Sequence, residues 1–207
     1  MAKREVVRLR FEEADPPAFL RRLQAGGPEA GALLFDAFEE SVNRLVWRLL
    51  GADTEHDDVV HDVFCSLLAG VGRVREPAAL NGWVRAVTAN TVRSVLRRRR
   101  LTRLLGLGSS EADPDRFEGV CDDVDGRRLV SEVYSILDGL PADLRVVFVL
   151  RHFEQLTLPE VASAAGCSLA TAKRRLKRAR NRFARAAASV DGLAERLQAS
   201  PVFGGEP

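Results

Sequence analysis

Lys173, Arg174, Arg175, Lys177, Arg178, Arg180, Arg182 and Arg185 put eight cations and no acid into residues 168–190. Cations at that density do one kind of chemistry well, the neutralisation of a polyanion such as nucleic acid. Among them Ala172, Leu176, Ala179 and Phe183 recur at steps of four, three and four, which makes one apolar stripe on a helix. The cations therefore have a helix to stand on and a core to stand against. The elements that must position this helix lie just before it. Thr157 and Glu160 have capping-box spacing, and Pro159 falls in the first turn, where a missing N–H is tolerated. Gly166 stops that first helix, Ser168 offers a second N-cap, and the small Ala162 allows close packing. Two short helices, a tight glycine turn and a cationic second helix predict a helix-turn-helix with residues 168–180 in the major groove.

No other set of residues has the spacing of a catalytic or cofactor site. There is no Walker loop, no pair of catalytic carboxylates and no Ser/His/Asp or Cys/His arrangement. His56 and His61 stand five apart, whereas helical metal pairs stand four apart. Gly106-Leu107-Gly108 reads as linker and not as a phosphate loop. Cys65, Cys121 and Cys167 are too scattered for zinc, and Cys65 and Cys167 read as reduced packing residues. The expectation is a protein without enzymatic activity, cofactor or metal. With no signal peptide and no long apolar span, it is expected to be cytoplasmic and not inserted in a membrane.

The net charge of +2 conceals a strong alternation. Residues 36–62 hold eight acids against two arginines, and residues 83–100 hold six arginines and no acid. Residues 101–126 hold seven acids against two arginines, and the cationic stretch follows. Two separate surfaces for a polyanion are implied. The chain divides into an N-terminal arm (1–15), a helical unit (16–100), a flexible acidic linker (101–126), a smaller helical unit (127–185) and a tail (186–207). Within the first unit a small helix follows Pro16-Pro17. Longer helices are predicted over 28–50, 53–70 and 79–100, the last with Leu80, Val84, Val87, Thr91 and Val95 facing inward. Residues 127–153 are helical around Pro141, and Val190, Leu193 and Leu197 suggest a short amphipathic turn in the tail. The fold class is all-α, two small helical domains joined by a linker.

Two stretches carry a family resemblance. LLFDAFEESVNRLVWRLLG, HDDVVHDVF and LNGWVRAVTANTVRSVLRRRR are similar in order and spacing to domain two of bacterial RNA polymerase sigma factors. ILDGLPADLRVVFVLRHFEQLTLPEVASAAGCSLATAKRRLKRAR resembles domain four and is the more specific signal. The size resembles the extracytoplasmic-function (ECF) group, which keeps only these two domains.

The resemblance implies an alternative sigma factor with three sets of site residues. Asp58, His61, Asp62 and Phe64 would dock on core RNA polymerase, with His61 where the family usually has Gln. Asn81, Trp83, Asn90, Arg93, Arg97 and Arg98 would contact the single-stranded minus-10 element, the whole run 97–100 serving as phosphate contacts. Ser168, Thr171, Lys173, Arg174, Lys177 and Arg178 would read the duplex minus-35 element. An anti-sigma factor is a further expected partner. Two alternatives stand beside this reading. One is a stand-alone helix-turn-helix regulator, against which the second cationic helix argues. The other is a sigma-like module that sequesters polymerase.

Overall fold

A computed structural model describes residues 15–105, 124–190 and 192–199. Among these, every regular element is helical. The N-terminal arm up to residue 14, most of the acidic linker with Cys121, and the end of the tail lie outside the described residues.

Helix α1 (Pro16–Gln24) starts where Asp15 accepts a hydrogen bond from the Ala18 amide, and it buries Phe19, Leu20 and Leu23. Helix α2 (Gly27–Leu50) buries one stripe from Ala30 through Leu50 and ends at Gly51. Helix α3 (His56–Gly70) turns Val59, Val60, Val63, Phe64 and Leu67 inward. Two 3-10 turns, Val71–Arg73 and Pro77–Ala79, connect it to α4 (Leu80–Leu104). Gln24 ties α1 to this connection by donating to the Val74 carbonyl at 2.7 Å. Helices α1–α4 form one bundle.

The second bundle contains α5 (Val124–Gly139), α6 (Ala142–His152), α7 (Leu158–Ala164), α8 (Leu169–Ala188) and α9 (Leu193–Ala199). Pro141 separates α5 from α6 because it cannot continue a helix. Phe183 of α8 stacks on Phe148 of α6, with ring centroids 4.7 Å apart. Leu193 and Leu197 of α9 are buried, so the tail's apolar stripe completes the core.

Helix α4 departs from the expected face. It buries Leu80, Val84, Thr88, Ala89, Val92, Val95 and Leu96, while Val87 and Thr91 are half-exposed. The cause is that α4 is packed on two sides, by α2 and α3 of its own bundle and by α6 and α7 of the other. No helix of the described residues is long and apolar enough to cross a membrane.

Candidate nucleic-acid and polymerase interfaces

The helix-turn-helix is built as its residue types require. Thr157 caps α7 in a complete capping box, its amide donating to Glu160 Oε2 at 2.8 Å. Gly166 takes φ +61°, the left-handed conformation that lets the chain leave α7 without a Cβ clash. Ser168 caps α8 by accepting from the Thr171 amide at 3.2 Å, and its hydroxyl also meets Thr171 Oγ1 at 2.9 Å. Ala172, Leu176, Ala179 and Phe183 are all buried. Lys173, Arg174, Lys177 and Arg178 are exposed, and none of them makes an ion pair with a described residue. The face that remains is a cationic ridge rooted in a fixed core.

On the first bundle, Trp83 and Asn90 line a cavity of about 370 Å³ between α3 and α4. Ser66, Gly70, Arg73, Val87, Thr91 and Ser94 complete its wall. The Trp83 ring lies so close to Gly70 that a Cβ there would come within 3.0 Å of Cζ2. Asn90 Oδ1 is buried without a hydrogen-bond partner. An aromatic face and small hydroxyls suit a flat polar ring that has left its stack. Asn81 is half-exposed near the start of α4.

The remaining cations of α4 are not a free strip. Arg93 Nη1 donates to the carbonyl of Ala165, which caps the end of α7, at 2.8 Å and lies 3.8 Å from Asp143. Arg97 Nη2 donates to both Asp143 oxygens at 2.8 Å. Arg175, on α8, approaches the same carboxylate at 3.7 Å. Burial alone would raise the Asp143 carboxyl, but the hydrogen bond from Arg97 and the charges of Arg175, Arg97 and Arg93 outweigh it and hold it below its ordinary range. Arg93 is lowered, first by burial and then by the charge of Arg97. Arg99 bonds Asp53 and Glu55 and so pins the turn between α2 and α3. Of the run 97–100, only Arg98 and Arg100 are exposed and unpaired among the described residues.

Further contacts, through Arg48 and Tyr134, close the two bundles on each other. Arg48 donates to Glu154 Oε1 at 2.6 Å and to the Phe153 carbonyl at 2.8 Å, and Glu154 is buried. A buried carboxylate needs such a partner. Tyr134 donates to the Trp47 and Arg48 carbonyls, each at 3.3 Å, with its ring edge-on to Trp47. Burial pushes the Tyr134 phenol up. Gly51, at φ +77°, gives the same ring room, since a Cβ there would lie 2.7 Å from Cδ1.

The acidic face stands apart from this seam. Asp58, His61 and Asp62 are exposed on α3, together with Asp57. Phe64 is buried, so it backs this face and does not present it. The exposed apolar groups beside it are Phe35, 5.0 Å from the Phe64 ring, and Leu68. Cys65 is exposed and not a packing residue, because its position on α3 falls on the His61 side, where its thiol meets His61 Nε2 at 3.4 Å. Cys167 is half-buried in the turn before α8. Among the described residues no cluster of His, Cys, Asp or Glu side chains could hold a metal ion.

Residue types give no sign that Asp143 gathers Arg175 with the arginines of α4, or that Phe35 is exposed. Asp143 looks like an ordinary first-turn acid, and Phe35 belongs to the same apolar stripe as its buried neighbours. Neither carries a local signal.

The chain is similar to known proteins along most of its length. The family description Sigma-70 region 2 matches residues 34–102, and Sigma-70, region 4 matches residues 131–183. The ECF RNA polymerase sigma factor SigE of Mycolicibacterium smegmatis is 26% identical over 183 residues, covering 83% of this chain and 68% of that protein. The ECF RNA polymerase sigma-E factor of Escherichia coli is 25% identical over 177 residues, covering 82% of this chain and 92% of that one. Two solved structures share the fold. CnrH in complex with the cytosolic domain of CnrY has a TM-score of 0.56 at 22% identity, over 84% of this chain and 96% of that one. RpoE with the anti-sigma factor NepR from Bartonella quintana has a TM-score of 0.58 at 20% identity, over 77% and 97%.

Proposed function

This chain belongs to the extracytoplasmic-function group of bacterial RNA polymerase sigma factors, and on that premise we propose how its surfaces divide the work of initiation. It is an alternative sigma factor that directs transcription by bringing core RNA polymerase to promoter DNA. Asp58, His61 and Asp62, flanked by exposed Phe35 and Leu68, dock on the polymerase, where carboxylates pair with arginines of the partner around a small apolar centre. The ridge of Lys173, Arg174, Lys177 and Arg178 enters the major groove of the minus-35 duplex, with Ser168 and Thr171 setting the start of α8. The Trp83/Asn90 cavity holds an extruded base of the minus-10 strand, and Asn81, Arg93, Arg97 and Arg98 follow its backbone. The protein acts in initiation and supplies no catalytic group.

One observation carries the reading: two cationic surfaces, α4 and α8, stand on separate bundles and each has its own recognition feature. A stand-alone regulator needs only the second. In this arrangement the second bundle engages Arg93 and Arg97 through Ala165 and Asp143, so the minus-10 surface is complete only after the bundles part. By the same logic an anti-sigma factor can act by holding them together. The test is run-off transcription from a genomic fragment library with core RNA polymerase, with and without the protein. Transcripts that depend on it and share spaced minus-35 and minus-10 motifs are the expected result. Core binding without any dependent transcript would make it a sequestering module, and DNA binding without core binding would make it a stand-alone regulator.

A further inference from the structure

The seam between the bundles has a second feature that neither promoter contact nor polymerase docking uses. A cavity of about 230 Å³ lies where the end of α4 meets the turn from α5 to α6. That is far more than the roughly 10–15 Å³ one water needs. Leu96, Leu104 and Leu140 give it apolar sides, and Arg100, Arg103 and Arg145 face one carboxylate, Asp138. Three guanidiniums against one carboxylate leave the cavity strongly positive.

Arg145 is the unusual member. Its side chain is 1% exposed, and its one partner is Asp138, which Nη1 engages. Nε and Nη2 are both buried without a partner. These two nitrogens form the side edge of the guanidinium, the edge that makes paired parallel bonds to an oxyanion. A buried cation with a whole fork edge unused is costly, and natural interiors rarely leave one so. Arg100 and Arg103, also in the lining, are exposed and without an ion-pair partner among the described residues.

We propose that this cavity binds a small phosphorylated molecule, the exposed Arg100 and Arg103 holding a phosphate and Arg145 turning its unpartnered edge towards it on binding. Its walls come from both bundles, so an occupant bridges α4 to α6 and favours the closed arrangement. The site does not depend on the sigma-factor reading; its effect on transcription does.

Inorganic pyrophosphate is the probe, titrated into the full-length protein at constant ionic strength and followed by calorimetry and by tryptophan emission. Trp47 reports the seam through its contact with Tyr134. Saturable binding at one equivalent is expected. Arg103→Ala should weaken it about tenfold, the loss of one charge-assisted hydrogen bond. Arg21→Ala, an exposed arginine on α1 outside the cavity, should leave it unchanged. Both positions are exposed, so neither change threatens folding. An equal response in all three proteins, or none that saturates, overturns the site. A single-stranded oligonucleotide gives the other source of phosphate: if it alone shows the Arg103 dependence, the arginines are a DNA-backbone contact and the proposal fails. Intact run-off transcription alongside a failed titration would leave the sigma-factor reading standing.

Discussion

Asp143→Asn removes the charge that Arg93 and Arg97 share with the second bundle while keeping the shape of the side chain. Arg97 meets both carboxylate oxygens at 2.8 Å but is 57% exposed, so that pair contributes about 0.5–1 kcal/mol. Arg93 lies 3.8 Å away and is only 20% exposed, which adds a similar amount, about 0.5–1 kcal/mol. Arg175 sits on the same bundle as Asp143 and does not count towards closure. Closure therefore loses roughly 1–2 kcal/mol, about five- to thirtyfold in the ratio of closed to open. A ligand that needs the open form gains affinity in proportion to the open fraction. Anisotropy with a single-stranded minus-10 oligonucleotide, at about 0.15 M salt and without polymerase, should show roughly tenfold tighter binding. Glu132→Gln is the control, since Glu132 pairs with Arg128 and Arg196 inside the second bundle and removes the same charge away from the seam. Unchanged or weaker binding by Asp143→Asn, or an equal gain in the control, would refute the latch. The latch itself does not titrate near neutrality. Asp143 is held below 3.8, so its contribution is present above that value and is lost only as pH falls through the lower folded pKa.

Gly51→Ala should loosen the seam and cost about 2–3 kcal/mol by chemical denaturation, because φ +77° with ψ −161° is strained for alanine and the Cβ would strike Tyr134. Stability within a few tenths of wild type would mean that the ring is not where it stands here. Lys177→Ala should weaken duplex binding for every sequence alike and reduce the salt slope by about one unit; a loss confined to one base position would make Lys177 a base reader instead. Burial, aided by Arg180 and Arg151, lowers His152 from 6.5 to about 4. Between those values the unfolded state binds more protons, so the native state loses stability as pH falls from 6.5 towards 4. His152→Phe, which keeps a ring against Phe148, should flatten that fall in denaturation midpoints measured at pH 7 and 5. An unaltered fall would place its origin elsewhere.

Local features were legible and the seam was not, for one physical reason. The capping box, the Gly166 turn and the stripe from Ala172 to Phe183 depend on residues three to eleven apart, and each stands as its spacing implies. The contact of Arg97 with Asp143 joins residues 46 apart, and the contact of Arg48 with Glu154 joins residues 106 apart. No periodicity announces such pairs. Blocks of like charge read as solvated or DNA-facing, so the run 97–100 read as four phosphate contacts. Arg97 and Arg99 are already spent on carboxylates that come from elsewhere in the chain. The inward face of α4 differs for a related reason: packed by both bundles, α4 buries Thr88, Ala89 and Val92, whereas a single-sided stripe selects Val87 and Thr91. Phe35 and Phe64 show the limit of apolarity as a guide. Both belong to good stripes, and only packing decides that Phe64 is covered and Phe35 is not.

The seam also explains why acids are scarce where they would interfere and present where they do. Residues 168–190 contain no carboxylate, so the reading helix has nothing of its own to neutralise it. Asp143 lies on α6, close enough to draw Arg93, Arg97 and Arg175 to one point. If Arg93 and Arg97 contact the minus-10 strand as proposed, a phosphate would replace that carboxylate and the arginines would exchange one anion for the other. That exchange has a consequence for salt. Screening weakens the DNA contacts, but it weakens the exposed Arg97–Asp143 pair as well, so part of the lost affinity returns as a larger open fraction. The closed protein therefore resists salt better at the minus-10 strand than a count of its arginines implies, and Asp143→Asn, with no latch to weaken, should show the steeper slope.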